Sequence, residues 1–468
     1  VACFICLSYI INTKMLLLRT LSICRMSSIK FRWGLSASEP EQTPVLFVGQ
    51  PAHLSALSWQ DVRCKLESRV TEEVNFLLVW RRGLAVTSPG DVSELWPRGA
   101  ALGVLPPRRS RHTAPSRNHS LSKIVKSALR SACLFIYIYY VLEMKQFCRS
   151  LQLKIYSKYK IKFPSCKVAK KLDIAEPTVI RGEALAERGM GGIYGVGKAS
   201  TKPPALVSLS YMAPGATETV AWVGKGIVYD TGGLSIKARA SMVGMKGDCG
   251  GAAAVLGAFA AVVRAKPTVN LHAVLCIAEN SVGPNATRPD DIHQLYSGRT
   301  VEINNTDAEG RLVLSDGVVY ARRDLKADTI VDVATLTGAQ GTATGKYHAA
   351  IISNAASLER ACVSAGLRSG DLTHALPYAP ELHFTEFCSH VADMKNSVAD
   401  RNNAQPSCAG LFILAHLGFD FPGQWLHVDM AAPAHIGERA TGYGVCLLSV
   451  LFGKYTNSRL LKALSPLR

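Results

Sequence analysis

Strand-like apolar runs alternate with helical runs along the last two-thirds of the chain. The runs that suit strands lie at 219–223, 226–229, 270–277, 329–333, 349–352 and 425–428. The runs that suit helices lie at 250–264, 312–323, 357–367, 408–418 and 443–452. This alternation predicts an α/β domain in which a central mixed sheet is flanked by helices on both faces.

Carboxylates come directly after two of the apolar runs. Asp230 follows the run at 226–229, and Asp307 lies just beyond the alternating run at 300–303. In open α/β sheets, polar sites collect at the carboxyl ends of the strands. These positions therefore predict a polar site at one edge of the sheet.

The segment 304–311 carries the most informative chemistry of the chain. Asp307, Glu309 and Arg311 occupy alternate positions in it. Side chains two residues apart point the same way on an extended segment, so we expect these three to converge. Two carboxylates on one face repel each other unless a cation lies between them, and a divalent metal ion is the simplest such cation.

A second polar cluster lies upstream of this segment. It contains Lys225, Asp230 and Lys237, and Asp248 follows before a glycine- and alanine-rich run. Several carboxylates and one amine hold two divalent ions if some of the carboxylates bridge. Two metal ions roughly 3.5–4 Å apart suit hydrolysis, because they activate water and clamp the substrate oxygen.

Each of these residues also has a simpler interpretation. Lys225 between glycines could be a solvated turn lysine, and as a metal ligand it would have to lose its proton. Asp230 could cap a turn, and Asp248 could be a helix N-cap. Lys237 and Arg311 could be surface charges or ion-pair partners of the carboxylates.

The motifs at these positions resemble those of the leucyl (cytosol) aminopeptidase family. The family signature Asn-Thr-Asp-Ala-Glu-Gly-Arg stands unbroken at 305–311, and Val-Gly-Lys-Gly, Asp-Thr-Gly-Gly and the stretch 334–339 also match. The resemblance covers about 176–455. It is greatest to the animal branch described as probable aminopeptidase-like, through 226–230 and 279–289.

The resemblance implies a role for each matching residue. Asp230, Asp307 and Glu309 would hold one metal ion, and Lys225, Asp230, Asp248 and Glu309 would hold the other. Lys237 would stabilise the oxyanion, and Arg311 would hold a bicarbonate ion that accepts the proton of the attacking water. The residues that would contact the substrate are Met245, Asn305, Ala308, Thr335, Leu336 and Gly338.

The expected function is that of a two-metal aminopeptidase with Zn²⁺ or Mn²⁺ as cofactor. It would release apolar, leucine-like residues from the amino end of peptides by hydroxide attack. The resemblance also implies a homo-oligomer, a hexamer. Two alternatives stay open at this point: a two-metal phosphatase or nuclease, and a weakly active or inactive relative that serves as a binding or regulatory module.

A glycine-rich stretch at 192–200 nearly matches a phosphate-binding P-loop. It has Ala199 where the motif needs a hydroxyl for magnesium, and it follows a charged helical stretch at 183–188 instead of a strand. We interpret it as a turn and expect no nucleotide site there.

Length and charge divide the chain into two parts. Its 468 residues favour two domains, and 48% of them are hydrophobic, which is enough for a sizeable core. Residues 1–171 hold 27 basic and 9 acidic side chains, which accounts for the whole net charge of +18. The basic part contains no recognisable nucleic-acid module, so we expect neither nucleic acid nor membrane as a partner.

The thirteen cysteines form no regular framework, which favours reduced thiols and the cytoplasm.

The two parts are expected to differ in how well they fold. We predict a catalytic domain at 172–468, preceded at 1–171 by a partial and poorly formed α/β domain, of which 44–74 resembles the family's amino-terminal domain. Residues 133–163 are rich in Ile, Tyr, Lys and Phe without clean periodicity. That composition is typical of translated AT-rich non-coding sequence, which we expect there and at 1–40.

Overall fold

The computed structural model of the protein describes residues 162–467 and, closer to the amino terminus, 45–49, 51–55, 59, 73–89, 91–96, 100–105, 112, 120 and 123–124. These residues belong to two compact units, Val1–Glu143 and Met144–Arg468. The segments 1–40 and 133–163, for which we predicted non-coding origin, lie outside the described residues except for the backbone at 162 and 163. The domain boundary after residue 171 stays a prediction.

The first unit contains a small α/β arrangement. Its strands Val45–Gly49 (β1), Val92–Trp96 (β2) and Ala100–Val104 (β3) form a sheet of order β1-β3-β2. Helices Pro51–Ser55 (α1) and Glu73–Val86 (α2) belong to the same unit. Buried Leu54, Trp80, Leu102 and Val104 form its core, and the indole N–H of Trp80 donates to the Leu54 carbonyl at 2.8 Å. The α/β character predicted for this part is therefore confirmed for its described residues.

The second unit is built on an eight-stranded mixed sheet of order β12-β11-β14-β10-β6-β7-β5-β4. Its strands are Thr178–Arg181 (β4), Ala205–Tyr211 (β5), Thr219–Asp230 (β6), Asn270–Asn280 (β7), Thr329–Ala334 (β10), Ala349–Ser353 (β11), Thr373–Ala375 (β12) and Gln424–Asp429 (β14). Four central neighbours, β14, β10, β6 and β7, run parallel. Strand β11 runs antiparallel to β14, and β5 runs antiparallel to β7. The predicted mixed sheet is confirmed.

Twelve helices accompany the described part of the second unit. They are Lys162–Leu172 (α3), Glu183–Glu187 (α4), Gly191–Gly197 (α5), Arg239–Met242 (α6), Gly250–Arg264 (α7), Gly310–Arg323 (α8), Gly338–Thr344 (α9), Ala356–Ser369 (α10), Pro380–His383 (α11), Gln405–Leu417 (α12), Val445–Leu451 (α13) and Arg459–Leu464 (α14). Short 3-10 turns lie at Met245–Gly247, Phe384–Phe387 and Gly453–Tyr455.

Helices α7 and α8 cover opposite faces of the sheet. A methyl group built on Gly224 of β6 would lie 2.5 Å from the Ala252 Cα of α7. Its neighbour Val223 points to the other face, where a methyl group built on Gly317 of α8 would lie 2.6 Å from a Val223 methyl. Successive side chains of a strand alternate between faces. The sheet is therefore covered on both sides, as the sequence predicted.

Two local predictions differ from the structure. The runs at 219–223 and 226–229 are one twelve-residue strand, β6, so Lys225 lies inside a strand and not in a turn. The glycine-rich stretch predicted to be a turn contains helix α5. The Asp316 carboxylate accepts from the Ile193 N–H of its first turn at 2.8 Å, and tertiary contacts of this kind outweigh the low helix propensity of glycine.

A small second sheet supports the segment 304–309. Strands Ile292–Gln294 (β8), Thr300–Glu302 (β9) and Met394–Lys395 (β13) pair in the order β13-β9-β8. A further two-stranded ribbon joins His435–Ile436 (β15) and Arg439–Ala440 (β16). The alternating run at 300–303 thus leads from β9 straight into the polar segment.

One helical stretch of the described chain, Arg239–Arg264, is long and apolar enough to cross a membrane. However, 94% of its most apolar window is buried inside the domain. Burial of this kind is typical of a core helix in a soluble protein.

Candidate active site

The structure brings the predicted polar residues to the carboxyl edge of the central strands. Asp230 is the last residue of β6. Asp307 and Glu309 lie between β9 and α8, and Asp248 precedes α7. One oxygen each of Asp230, Asp307 and Glu309 lies within 4.8 Å of the others. The carboxylates that the sequence analysis grouped by spacing are therefore neighbours in space.

The segment that carries Asp307 and Glu309 is a turn and not the extended segment we expected. Glu309 is the N-cap of α8, and the helix begins at Gly310 itself. A methyl group on Gly310 would lie 2.8 Å from Lys225 Nζ and 2.9 Å from Leu336 Cδ1. Glycine therefore lets the helix start against the lysine. The convergence of Asp307 and Glu309 was predicted correctly, but its local cause was wrong, and Arg311 faces the Phe387 ring.

Lys225 lies at the centre of the cluster and is 3% exposed. Its ammonium is 2.8 Å from Asp248 Oδ2, 2.9 Å from Glu309 Oε1 and 3.0 Å from the Thr335 carbonyl oxygen. Burial alone would lower the pKa of Lys225, but the carboxylates of Asp248, Glu309 and Asp230 outweigh burial and raise it. The lysine is therefore charged in this arrangement, and coordination of a metal ion would require it to release its proton.

Lys237 connects the other two carboxylates. Its ammonium is 2.9 Å from Asp230 Oδ2 and also pairs with Asp307 Oδ1. Burial opposes the charged form, yet Asp230 and Asp307 raise the pKa of Lys237. Lys237 is thus the ion-pair partner that we considered as an alternative, and not an unpaired ammonium.

The carboxylates of Glu309 and Asp248 are buried and that of Asp307 is partly buried, so their negative charge is unfavourable without a nearby cation. Burial, followed by the neighbouring Asp230 carboxylate, raises the pKa of Glu309. Burial also raises the pKa of Asp248 and of Asp307, against the opposing effect of the lysines. A divalent ion among these oxygens would favour their ionised forms.

Arg311 is a buried cation in the first turn of α8. It is 9% exposed, and its Nε and Nη1 have no hydrogen-bond partner in the described part of the chain. Its guanidinium carbon lies 5.9 Å from the centre of the Phe387 ring. Burial lowers the pKa of Arg311 to about 10. Unpaired donors on a buried charge fit a small anion.

Four of the residues predicted to contact substrate, Asn305, Ala308, Thr335 and Leu336, lie on loops, whereas Met245 starts a 3-10 turn and Gly338 starts α9. Thr335 donates to Asp248 Oδ1 at 2.7 Å, and the carbonyl of Met245 accepts from the Asp248 N–H at 3.1 Å. Asn305 accepts from the Asp307 N–H at 2.9 Å, and Ala308 stands between the two carboxylates of that loop. Leu336 contacts the start of α8, whereas Gly338, the first residue of α9, lies two positions further along.

Sequence reasoning did not select two polar residues that hydrogen-bond to the cluster or to the loops that carry it. The Asn280 amide donates to Asp230 Oδ1 at 2.9 Å and to the Thr306 carbonyl at 3.1 Å. The Thr306 hydroxyl donates to the Gly232 carbonyl at 2.6 Å and accepts from the Ser235 N–H at 2.7 Å. Asn280 ends β7, the strand next to β6, so a polar residue after the apolar run 270–277 was an available signal.

The donor set fits divalent metal ions. It combines carboxylate oxygens with one lysine nitrogen, and hard or borderline ions such as Mg²⁺, Mn²⁺ and Zn²⁺ accept such ligands. The two lysine ammonium groups now balance part of the negative charge that such ions would balance.

The chain matches known proteins over both of its units. Residues 151–449 match the catalytic domain of the cytosol aminopeptidase family, and residues 43–148 match the M17 aminopeptidase N-terminal domain 2. The sequence is 50% identical over 503 residues to "Probable aminopeptidase NPEPL1" of Homo sapiens, which covers 94% of this chain and 95% of that protein.

Solved structures agree with these matches. The structure of Caenorhabditis elegans leucine aminopeptidase (LAP1) superposes with a TM-score of 0.82 at 38% identity, over 93% of this chain and 100% of that one. The bottromycin maturation enzyme BotP in complex with Mn gives a TM-score of 0.61 at 31% identity, over 67% of this chain and 73% of that one. The resemblance seen in the sequence motifs is confirmed.

A family catalytic domain spans most of the chain, and a relative that is 50% identical matches nearly all of it. The carboxylates of Asp230, Asp307 and Glu309, called the acidic cluster below, are arranged so that they could hold a metal ion. The chain therefore belongs to the M17 cytosol aminopeptidase family and is a metal-dependent aminopeptidase.

Proposed function

We propose that the protein uses two divalent metal ions to release apolar, leucine-like residues from the amino end of peptides. The observation that carries this proposal is the convergence of Asp230, Asp307 and Glu309 within 4.8 Å, beside a lysine that contacts Asp248 and Glu309. Four carboxylates and one amine exceed what one ion needs. Bridging by Asp230 and Glu309 would divide them between two.

The five proposed ligands form two groups. Asp230, Asp307 and Glu309 would hold one ion, and Lys225, Asp230, Asp248 and Glu309 would hold the other. When bound, Zn²⁺ or Mn²⁺ polarises a carbonyl group and makes water a better nucleophile at neutral pH. Because the neighbouring carboxylates raise the pKa of Lys225 against the effect of burial, loading of the second position would release a proton.

Two cations that are not proposed ligands would act on the substrate side. Lys237 is 15% exposed, so its ammonium is partly accessible beside Asp230 and Asp307. We assign it the role of stabilising the negative charge that develops on the scissile carbonyl oxygen. Arg311, with two unpartnered nitrogens, would hold a bicarbonate ion close to the reaction centre.

The site would select the free end of a peptide. The substrate ammonium group would be attracted by the carboxylate of Asp248. Thr335, Leu336, Gly338 and Asn305 would align the peptide backbone. Met245 and Ala308 would border the side-chain pocket, and their apolar side chains favour a leucine-like residue.

We also propose a cytoplasmic homo-oligomer, a hexamer, with the catalytic domain at 172–468. The name of the matching family refers to the cytosol. Free buried thiols at Cys249, Cys276 and Cys362 support a reducing compartment. Light scattering on the purified full chain would test the oligomeric state.

The proposed function is tested with the full chain on leucine amide and on its N-acetylated form. We expect hydrolysis of the free-amine substrate alone, dependent on Mn²⁺ or Zn²⁺ and abolished by a chelator. Asp307→Asn should lose more than about 100-fold in kcat/KM because it removes a proposed ligand. Asp324→Asn makes the same chemical change at the far end of α8 and should leave the activity intact. A folded, metal-loaded protein that does not cleave leucine amide would instead indicate a binding module.

A further inference from the structure

The segment that carries Asp307 and Glu309 needs support from outside itself. Between the end of β9 at Glu302 and the start of α8 at Gly310 it belongs to no helix or strand. Ligand carboxylates must be held in place if they are to bind an ion tightly, because the ordering of a mobile loop costs free energy. The side chain that supplies most of this support is Asn396.

Asn396 is fully buried and uses every hydrogen-bonding position of its amide. Its Oδ1 accepts from the N–H groups of Asn304, at 3.0 Å, and Asn305, at 3.2 Å. Its Nδ2 donates to the carbonyls of Asn305, at 2.7 Å, and Ala308, at 3.3 Å. An asparagine amide offers two donors and two acceptor positions, so this one is saturated. All four bonds go to the backbone on either side of Asp307.

The position of Asn396 is fixed from the other direction by the small sheet. Strand β13 pairs with β9 through Met394 with Val301 and Lys395 with Glu302. The Asn396 N–H then continues the ladder and donates to the Glu302 carbonyl at 3.0 Å. Asn396 is therefore anchored to the strand from which the segment starts.

The chemistry of the contact requires an amide. Alanine would remove the acceptor of the Asn304 and Asn305 N–H groups and the donor to the Ala308 carbonyl, and each lost bond costs free energy. The Asn305 carbonyl would keep only the Ala308 N–H, which donates to it at 3.1 Å. Aspartate has the same shape and keeps the acceptor, but it has no donor and would place a carboxylate against the carbonyls of Asn305 and Ala308. No other side chain of this size donates and accepts in one plane.

We propose that Asn396 is a positioning residue for metal binding. It holds the backbone at 304–308 so that the carboxylates of Asp307 and Glu309 face Asp230. This inference rests on the proposed function, since it assigns Asn396 to the same metal ions. Loss of a residue that orients metal ligands typically weakens metal affinity by about 10–100-fold.

Asn354 provides a matched control at the opposite edge of the sheet. Its Oδ1 accepts from the Trp425 N–H at 2.7 Å, and its Nδ2 donates to the Gly423 carbonyl at 3.0 Å. It is also a backbone-bridging asparagine, but it follows the end of β11 and bonds to the start of β14, away from the acidic cluster. Asn354→Ala should therefore lower stability without changing metal affinity.

The test measures Mn²⁺ binding to the full chain by equilibrium dialysis and calorimetry, together with the Tm of the chelator-treated protein. We expect Asn396→Ala to raise the Mn²⁺ Kd about 10–100-fold, while Asn354→Ala leaves it within about twofold. Both variants should lower the Tm of the metal-free protein. If Asn396→Ala does not fold, the isosteric Asn396→Asp replaces it, with the same expected loss of affinity.

Three other outcomes are informative. A wild-type chain that binds no Mn²⁺ would overturn the proposed function itself. A wild-type chain that binds Mn²⁺ while Asn396→Ala binds it equally well would overturn only the role of Asn396. Equal loss of affinity in Asn396→Ala and Asn354→Ala would show a general effect of lower stability and would also overturn that role.

Discussion

The Asn280 amide donates a hydrogen bond to the Asp230 carboxylate across two neighbouring parallel strands, at 2.9 Å. The two residues are register partners at the ends of β7 and β6. The Asp230 Oδ1 also accepts from the Gly232 N–H at 2.9 Å. Asp230 is thereby oriented with its Oδ2 toward Lys237 and the acidic cluster.

Asn280→Ala should weaken metal binding, because Asp230 would lose one of the two donors that orient it. We expect a loss of about 10–100-fold in Mn²⁺ affinity, measured by dialysis against the metal. Asn270→Ala is the control, since Asn270 starts the same strand and its amide donates to Thr219 at 3.3 Å, far from the cluster. Equal metal affinity in both variants would contradict the role of Asn280.

Gly310→Ala should impair activity more than it impairs stability. The added methyl group would lie 2.8 Å from Lys225 Nζ, and the end of a flexible side chain yields more easily than the helix backbone. Lys225 would therefore move away from Asp248 and Glu309. Displacement of a group in the active site costs on the order of 100-fold in rate.

Steady-state kinetics and the Tm of Gly310→Ala and Gly341→Ala measure this difference. Gly341 lies inside helix α9, where a methyl group would meet Ala432 at an ordinary 3.5 Å. Its replacement should leave activity and stability nearly unchanged. Full activity of Gly310→Ala would show that Lys225 does not need its present position.

The sequence predicts the fold best where a single apolar run continues over many residues without interruption by a polar residue. Helix α7 was predicted with its observed ends, because an apolar run begins after the polar Asp248 and stops at Arg264. Strand β5 was missed, although it lies inside the sheet between β4 and β7, because its apolar run is short and follows two prolines. Helix α5 was missed because its glycines have a low helix propensity. Asp316, which is 123 positions away in the sequence, stabilises it.

The candidate site divides in the same way. Asp307, Glu309 and Arg311 can be found in the sequence because they stand within one segment, and Asn280 because it ends an apolar strand. Asn396 lies 91 positions from Asn305, and only the pairing of β13 with β9 brings it to the loop. No local pattern in the sequence carries that information.

Asp316 should make stability depend on pH. It is fully buried, and burial raises its pKa to about 7 despite backbone hydrogen bonds from Tyr296, Ile193 and Gly192. A raised carboxyl pKa means that the folded state holds the proton more tightly than the unfolded state. Its contribution to stability is therefore present below the unfolded pKa of about 4 and is lost as pH rises toward 7.

Chemical unfolding of wild type and Asp316→Asn between pH 4 and 8 measures this contribution. The variant should be less stable by about 1–3 kcal/mol, because its amide nitrogen faces backbone donors, and the difference should shrink as pH rises.

Asp291→Asn is a control of opposite sign. Hydrogen bonds and charge from Arg288 outweigh burial and lower the pKa of Asp291, so its contribution is lost as pH falls. A pH-independent difference for Asp316→Asn would contradict the prediction.

Arg311→Met should lower activity without lowering stability. Two guanidinium nitrogens of Arg311 are buried without partners in the described structure, so the folded state bears the cost of an uncompensated charge. Methionine has a similar length and removes that cost, and the Tm should stay the same or rise. Activity should fall at least about 100-fold, as when a group that assists proton transfer is lost, and added bicarbonate should no longer stimulate it.

Arg322→Met is the matched control on the same helix, because the Arg322 guanidinium donates to the Leu417 carbonyl and lies over the Phe421 ring at 5.4 Å. That variant should lose stability and keep its activity. A fall in Tm for Arg311→Met comparable to that of Arg322→Met would show that Arg311 serves the fold and not an anion.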